Sequence, residues 1–278
     1  MRDMFLSRAG RVIARKFKAC GIVRKVLEWE FDRYFATIPI RSFRGIYDSF
    51  DDAARSAPAT GSIGFDQPES VAMYFRSFRW IFPSDYPTML WLSRAMKEGA
   101  RVFDYGGNVG ISFHSFKKYM DYPANLEWTA CDLPAVTRAG EELAVKEGSA
   151  GLTFTNSFEK ADGADILLAS GSLQYIESPL AESLAKLDAR PRHLIINRVP
   201  LYDGKPFVTL QSIATAFCPY HVFNATDFVR SISDLGYELI DRWENPDVPC
   251  EIPFHPEKSI RALSGLYFKR SVSGSATR

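Results

Sequence analysis

Residues Arg101–Ile111 read Arg-Val-Phe-Asp-Tyr-Gly-Gly-Asn-Val-Gly-Ile, and this stretch limits what the chain can fold into more than any other. A short apolar run ends in Asp104. Gly106, Gly107 and Gly110 follow, and then an amphipathic run begins at Ile111. The pattern predicts a buried strand, a glycine turn and a helix over Ile111–Tyr119. Glycines there let the backbone reverse sharply and approach a ligand closely. The helix start offers unpaired N–H groups to an anionic end of that ligand.

The turn is not the one a dinucleotide requires. The G-x-G-x-x-G fingerprint needs a glycine where this chain has Asn108. A carboxylate at Asp104 would also repel a pyrophosphate, and no Lys or Arg occurs between Asp104 and Lys117. S-adenosylmethionine carries a sulfonium, an ammonium and a carboxylate but no phosphate, and it suits an acidic residue beside the turn. The stretch resembles the glycine-rich first motif of class I S-adenosylmethionine-dependent methyltransferases, matching at Asp104, Gly106 and Gly110 and departing at Asn108. Two other readings stay open: an NAD-dependent oxidoreductase, and a non-catalytic binding module that kept the fold.

Asp132 adds a second mark. It stands 22 residues beyond Gly110, after the apolar run Leu126–Cys131. That spacing suits an acid at the end of a second strand, where its two oxygens can accept from ribose hydroxyls. An alternative is that Asp132-Leu133-Pro134 caps the following helix, Ala135–Glu147. Further strands are expected at Leu152–Thr155, Asp165–Ala169, His193–Asn197, Tyr237–Arg242 and Leu263–Lys269. The fourth of the parallel strands, Asp165–Ala169, is nearly unbroken apolar sequence, as a central parallel strand should be. Strand–helix alternation predicts right-handed crossovers and parallel pairing. The expected fold is α/β: a Rossmann-like, doubly wound, mostly parallel seven-stranded sheet with an antiparallel C-terminal strand. Residues 1–98 are expected as a helical N-terminal cap, 99–270 as the methyltransferase-like domain and 271–278 as a disordered tail. Arg41–Thr60 reads as a loop and a short helix, Glu69–Trp80 as a helix, and Leu201–Thr226 as a long connection with Thr226 capping the next helix.

A formal net charge of +1 over 278 residues argues against wholesale nucleic-acid binding. Cys20, Cys131, Cys218 and Cys250 have neither zinc-type nor redox-type spacing, which fits a cytoplasmic protein with reduced thiols. No metal-ligand cluster is expected. The first 25 residues hold eight basic side chains against Asp3 alone, with apolar residues at helical spacing on to Tyr34. Such a helix either lies on an anionic membrane at the inner face or packs on its own domain. Gly10 and Gly21 interrupt the pattern and favour packing.

The resemblance extends through Phe43-Arg44-Gly45-Ile46-Tyr47, Gly64-Phe65-Asp66, Pro219-Tyr220-His221-Val222-Phe223-Asn224 and Gly265-Leu266-Tyr267-Phe268. Over about residues 41–270 the chain is similar to a little-characterised family of bacterial methyltransferases, some of which occur among cell-surface polysaccharide genes. The resemblance implies S-adenosylmethionine held by Asp104, Gly106, Gly107, Asn108, Gly110 and Asp132. Ser157 and Phe158 would lie beside the adenine, and Ser170 and Gly171 after the fourth strand. It does not supply the acceptor; a small molecule or a glycan or lipid precursor, methylated on oxygen, is expected. A hydroxyl nucleophile must lose its proton, and His is the commonest base. Loops that leave strand carboxyl ends carry His221 and His255, and His221 is preferred because Tyr220 and Asn224 flank it. Tyr175, Arg198 and Asn224 are the expected acceptor contacts.

Overall fold

The computed structural model describes residues 21–66 and 80–271. The basic segment before Gly21, the helix expected over Glu69–Trp80 except Trp80, and nearly all of the expected tail lie outside the described residues. The expected sheet is present. Strands β3 (Arg101–Tyr105), β4 (Glu127–Cys131), β5 (Leu152–Thr155), β6 (Ile166–Ser170) and β7 (His193–Val199) pair in parallel in the order β7-β6-β3-β4-β5. Numbering runs in chain order, so two strands precede these: β1 (Ile40–Tyr47) and β2 (Ser62–Ile63). Strand β12 (Leu263–Arg270) runs antiparallel to β7, and β11 (Tyr237–Asn245) antiparallel to β12, closing a seven-stranded sheet.

Burial explains the apolar runs. Ile166, Leu167, Leu168 and Ala169 of β6 are fully buried, since helices cover both faces of this central strand. One face packs against α6 (Leu180–Ala185) and α7 (Ala225–Ser233) through Leu184, Phe228 and Ile232. The other packs against α3 (Asp85–Ala95) and α4 (Ile111–Phe116) through Met89, Leu92, Phe113 and Phe116 around Trp128. Helix α4 has six residues and stops short of the expected Tyr119, so it presents only a short end to any ligand. Helix α5 (Pro134–Glu147) follows β4.

The larger difference is a second sheet. Leu201–Thr226 is not an open connection. It forms β8 (Leu201–Tyr202), β9 (Phe207–Ile213) and β10 (Ala216–Asn224). These join β1 and β2 in the order β1-β9-β10-β2, with β8 also paired to β10. Residues 40–47 are therefore a strand, not the expected loop, and the stretch expected as a helical cap supplies strands β1 and β2 to a sheet built largely from downstream chain. Helix α2 (Phe50–Arg55) matches the expected short helix, with Ser49 accepting from the Asp52 N–H. Helix α1 (Gly21–Phe35) packs on this sheet: Phe35 stacks on Phe217 at 5.2 Å and Phe31 meets Phe254 edge-on at 5.8 Å. Among the described residues no helix is long and apolar enough to cross a membrane.

Candidate functional site

The glycine turn folds as its residues dictate. Gly106 has φ +74°, and a Cβ there would sit 2.1 Å from the Ser172 Cβ. Asn108 adopts φ +59°, the left-handed conformation that Asn tolerates best after Gly. The departure from glycine thus preserves the backbone path. The Asn108 N–H donates to Asp132 Oδ2 at 2.9 Å, tying the turn to the end of β4. The Leu133 N–H donates to Asp132 Oδ1 at 2.8 Å. Asp132 is not the cap of α5. That role falls to Asp66, whose Oδ1 accepts from the Ala135 N–H at 3.0 Å. With one backbone donor on each oxygen, the Asp132 carboxylate keeps lone pairs for a ligand.

Asp104 is 1 % exposed at the end of β3. Its Oδ2 accepts from Trp128 Nε1 at 3.3 Å, and its Oδ1 has no partner. Burial pushes its carboxyl up to about 7; Trp128 opposes that shift and the nearby Asp132 adds to it. Just beyond the end of the neighbouring strand β6, Ser172 Oγ donates to the Tyr105 carbonyl at 2.5 Å and Gln174 Nε2 to the Gly171 carbonyl at 2.9 Å. Gln174 Oε1 is buried with no donor. Among the described residues, neither of these two acceptors at adjacent strand ends has a donor at bonding distance, although the Ser112 hydroxyl lies close enough to Asp104 to hold its carboxyl down.

Phe158 packs edge-on against Tyr105 at 4.7 Å and Ser157 bonds Glu159, both at the end of β5. Asn156 Nδ2 ties this segment to the Asp132 carbonyl at 2.7 Å. Leu133 is 40 % exposed beside Asp132. These residues form one continuous rim from β3 to β5.

A cavity of about 270 Å³ opens between the carboxyl ends of β6 and β7 and the second sheet. Ser170 and Gly171, expected as cofactor contacts, and Tyr175 and Arg198, expected as acceptor contacts, line it from below. Tyr220 lines it from β10. Tyr175 donates to Gln211 Oε1 at 2.7 Å and meets Tyr220 edge-on at 5.4 Å. Burial raises both phenols, so they stay protonated at neutral pH. Arg198 Nη1 donates to Asp85 Oδ1 at 3.1 Å and its Nη2 to Ser170 Oγ at 3.0 Å. Asp85 also accepts from Asn197 Nδ2 at 2.9 Å and from the Phe82 N–H at 2.8 Å. Burial raises the Asp85 carboxyl, and the Arg198 charge opposes the shift.

Three expected residues stand elsewhere. Successive side chains of a strand point to opposite faces, so β10 turns Tyr220 into the cavity and His221 away from it. His221 instead stacks on Phe223 at 4.3 Å and meets Phe50 edge-on at 6.0 Å. His255 lies in a turn beside Glu257, with Nδ1 3.6 Å from the carboxylate, and does not line the cavity. Asn224 caps α7: its Oδ1 accepts from the Asp227 N–H at 2.8 Å and its Nδ2 donates to the Gly204 carbonyl, so Thr226 is not the cap. Among the described residues, no histidine lines the cavity. Asp85, Arg41 and Gln211, which do line it, carried no sequence signal. Arg41 and Gln211 sit on strands that were not expected.

No protein-family model matches the chain, and no curated protein matches it by sequence. Solved structures do resemble it. One is a Galdieria sulphuraria protein provisionally assigned as a sarcosine dimethylglycine methyltransferase: 13% identity, 73% of this chain, 98% of that one, TM-score 0.50. Others are a Burkholderia thailandensis 1,6-didemethyltoxoflavin-N1-methyltransferase with bound S-adenosylhomocysteine (18%, 73% and 87%, 0.47) and the mitomycin 7-O-methyltransferase MmcR (14%, 80% and 61%, 0.45). The strand order, the antiparallel C-terminal strand and the first of these likenesses agree: the chain has the class I methyltransferase fold.

Proposed function

We propose that the protein is an S-adenosylmethionine-dependent methyltransferase acting on an oxygen of a small-molecule acceptor. The observation that carries this reading is the pair of buried acceptor atoms, Asp104 Oδ1 and Gln174 Oε1, that have no hydrogen-bond donor among the described residues, at adjacent strand ends beside the glycine turn. A ligand presenting N–H donors and positive charge satisfies them, whereas a pyrophosphate offers only further acceptors. Gly106 and Gly107 leave the backbone bare where a Cβ would strike Ser172 or Asp104, which suits close approach of the methionine part. The remaining lone pairs of Asp132 suit a ribose diol, and Leu133 and Phe158 offer apolar surface for the adenine.

When bound, S-adenosylmethionine supplies an electrophilic methyl group. The chain's own task is to align the acceptor with it, which is chiefly positioning, and the proton that the acceptor hydroxyl gives up passes to solvent, since no histidine lines the cavity among the described residues. Arg198, locked on Asp85 and Ser170, forms a rigid floor, and Tyr175 and Tyr220 form an aromatic wall. Asp85 is the carboxylate among the described lining residues and holds the guanidinium in place. The reading is tested by titrating S-adenosylmethionine into wild-type protein and Asp132→Ala. Micromolar binding weakened about tenfold or more by the substitution supports it. Equal binding, or none, by both proteins sinks it.

A further inference from the structure

The cavity wall carries two guanidinium groups, Arg41 and Arg198, against one carboxylate, Asp85. Asp85 is fully engaged: Oδ1 takes Asn197 and Arg198, and Oδ2 takes the Phe82 N–H. Arg198 is therefore neutralised, and Arg41 is not. Among the described residues the Arg41 guanidinium has no hydrogen bond or ion pair; burial lowers the Arg198 guanidinium, Asp85 opposes that shift, and the Arg41 charge adds a smaller push in the same direction as burial.

The backbone singles out the same residue. Ile40 pairs with Ile213 and Ser42 with Ser212, so β1 advances two residues where β9 advances one. Arg41 is the extra residue of a bulge, held at φ +54°. Bulges of this kind re-aim a side chain, and a non-glycine residue at positive φ is retained at a cost. Nothing within the described protein repays that cost through the guanidinium. Arg198 too has positive φ, +57°. Two strained arginines thus border one cavity, and one of them is uncompensated at its exposed mouth. One side of the wall is aromatic, with Phe43, Tyr175 and Tyr220 packed edge-on at 5.0 and 5.4 Å.

We infer that the methyl acceptor is a small, apolar-bodied molecule bearing an anionic group, a carboxylate or a phosphate, which docks on Arg41 while the body lies along the Phe43–Tyr175–Tyr220 wall. The inference rests on the methyltransferase reading and deepens it. A planar guanidinium fork suits either anion, and charge-assisted bonds of this kind are about twice as strong as neutral ones.

The test uses the full chain saturated with S-adenosylhomocysteine. The probes are hydroxylated aromatic carboxylates and aryl phosphates of increasing size, each paired with its uncharged amide or alcohol, with binding read by calorimetry. At least one acid should bind about tenfold or more tightly than its neutral partner. Arg41→Gln should abolish that preference and Arg41→Lys should retain part of it, both variants melting within a few degrees of wild type. Carboxylate and phosphate arms tell the two sources apart. Acids that bind no better than neutral partners across the whole panel, or not at all, overturn the inference. So does a preference that survives Arg41→Gln. Failure of S-adenosylhomocysteine to bind in the first titration would sink the methyltransferase reading itself, which keeps the two failures distinct.

Discussion

Gly106→Ala probes the turn at its tightest point. The added Cβ would stand 2.1 Å from the Ser172 Cβ and 2.7 Å from its Oγ, at a residue with φ +74°. Left-handed backbone costs a non-glycine residue about 1–2 kcal/mol, and overpacking a tight site adds about 1–3 kcal/mol. The expected loss is therefore about 2–5 kcal/mol. Gly148→Ala supplies the control. Gly148 has φ +61° and no atom near its would-be Cβ, so only the backbone term of about 1 kcal/mol applies. Urea unfolding of wild type and both variants, with unchanged slopes, gives the difference directly. Ser172→Gly in the Gly106→Ala background should recover part of the loss, because the two side chains compete for one space. If Gly106→Ala costs no more than Gly148→Ala, or if the double variant shows no coupling, the turn is looser than described and the cradle argument fails.

Other outcomes follow from single contacts. Asp104 has a carboxyl near 7 when folded and an ordinary 3.8 when unfolded, so the folded state holds its proton longer and the stability it allows falls as pH rises from about 4 to about 7. Asp104→Asn should match wild type near pH 4 and exceed it by about 2–4 kcal/mol at pH 8, measured as the difference between two urea-stability profiles. A flat difference would contradict the burial argument. Arg198→Met removes the cation beside Asp85, whose side chain is 5% exposed, and should cost about 2–4 kcal/mol; Asp85→Asn in the same background should restore part of it, and additivity of the two would count against the pair. His221→Ala should keep turnover within about twofold and lose about 1–2 kcal/mol of stability through its ring contacts. A loss of 10²-fold or more in rate would return His221 to the role of base.

The parallel sheet was legible because its strands are short apolar runs closed by acids or glycines, with helices between them. Asp104, Gly106 and Asp132 stood out for the same reason: their spacing is fixed by one local strand–turn–helix unit. The second sheet was not legible. Strand β9 is buried at all seven positions, with Thr209, Gln211 and Ser212 inside, so it shows no alternation. The β9–β10 connection, Ala214-Thr215, lacks the usual Gly or Asn, and Ala214 takes φ +72°. Pro219 argues against a strand, yet residues 218–222 pair along one side only, since β2 meets β10 at 216–217 and β8 at 223–224. An edge tolerates proline. In β1, Gly45 at φ +73° and the Arg41 bulge break the period. Missing this sheet led to His221: in a loop it would be free to face the methyl group, and in a strand its neighbour Tyr220 takes that side. Asp85 was invisible because its partners Asn197 and Arg198 lie more than 100 residues away in sequence.

The glycine turn, Asp104 and Asp132 are proposed to hold a cation-bearing nucleoside rather than a dinucleotide. Parallel calorimetric titrations of the unmodified chain with S-adenosylmethionine and with NADH at pH 8, where Asp104 is mostly ionised, test it most directly. The expected result is stoichiometric binding of S-adenosylmethionine at micromolar affinity and no measurable heat with NADH. Tight NADH binding without S-adenosylmethionine binding would contradict it.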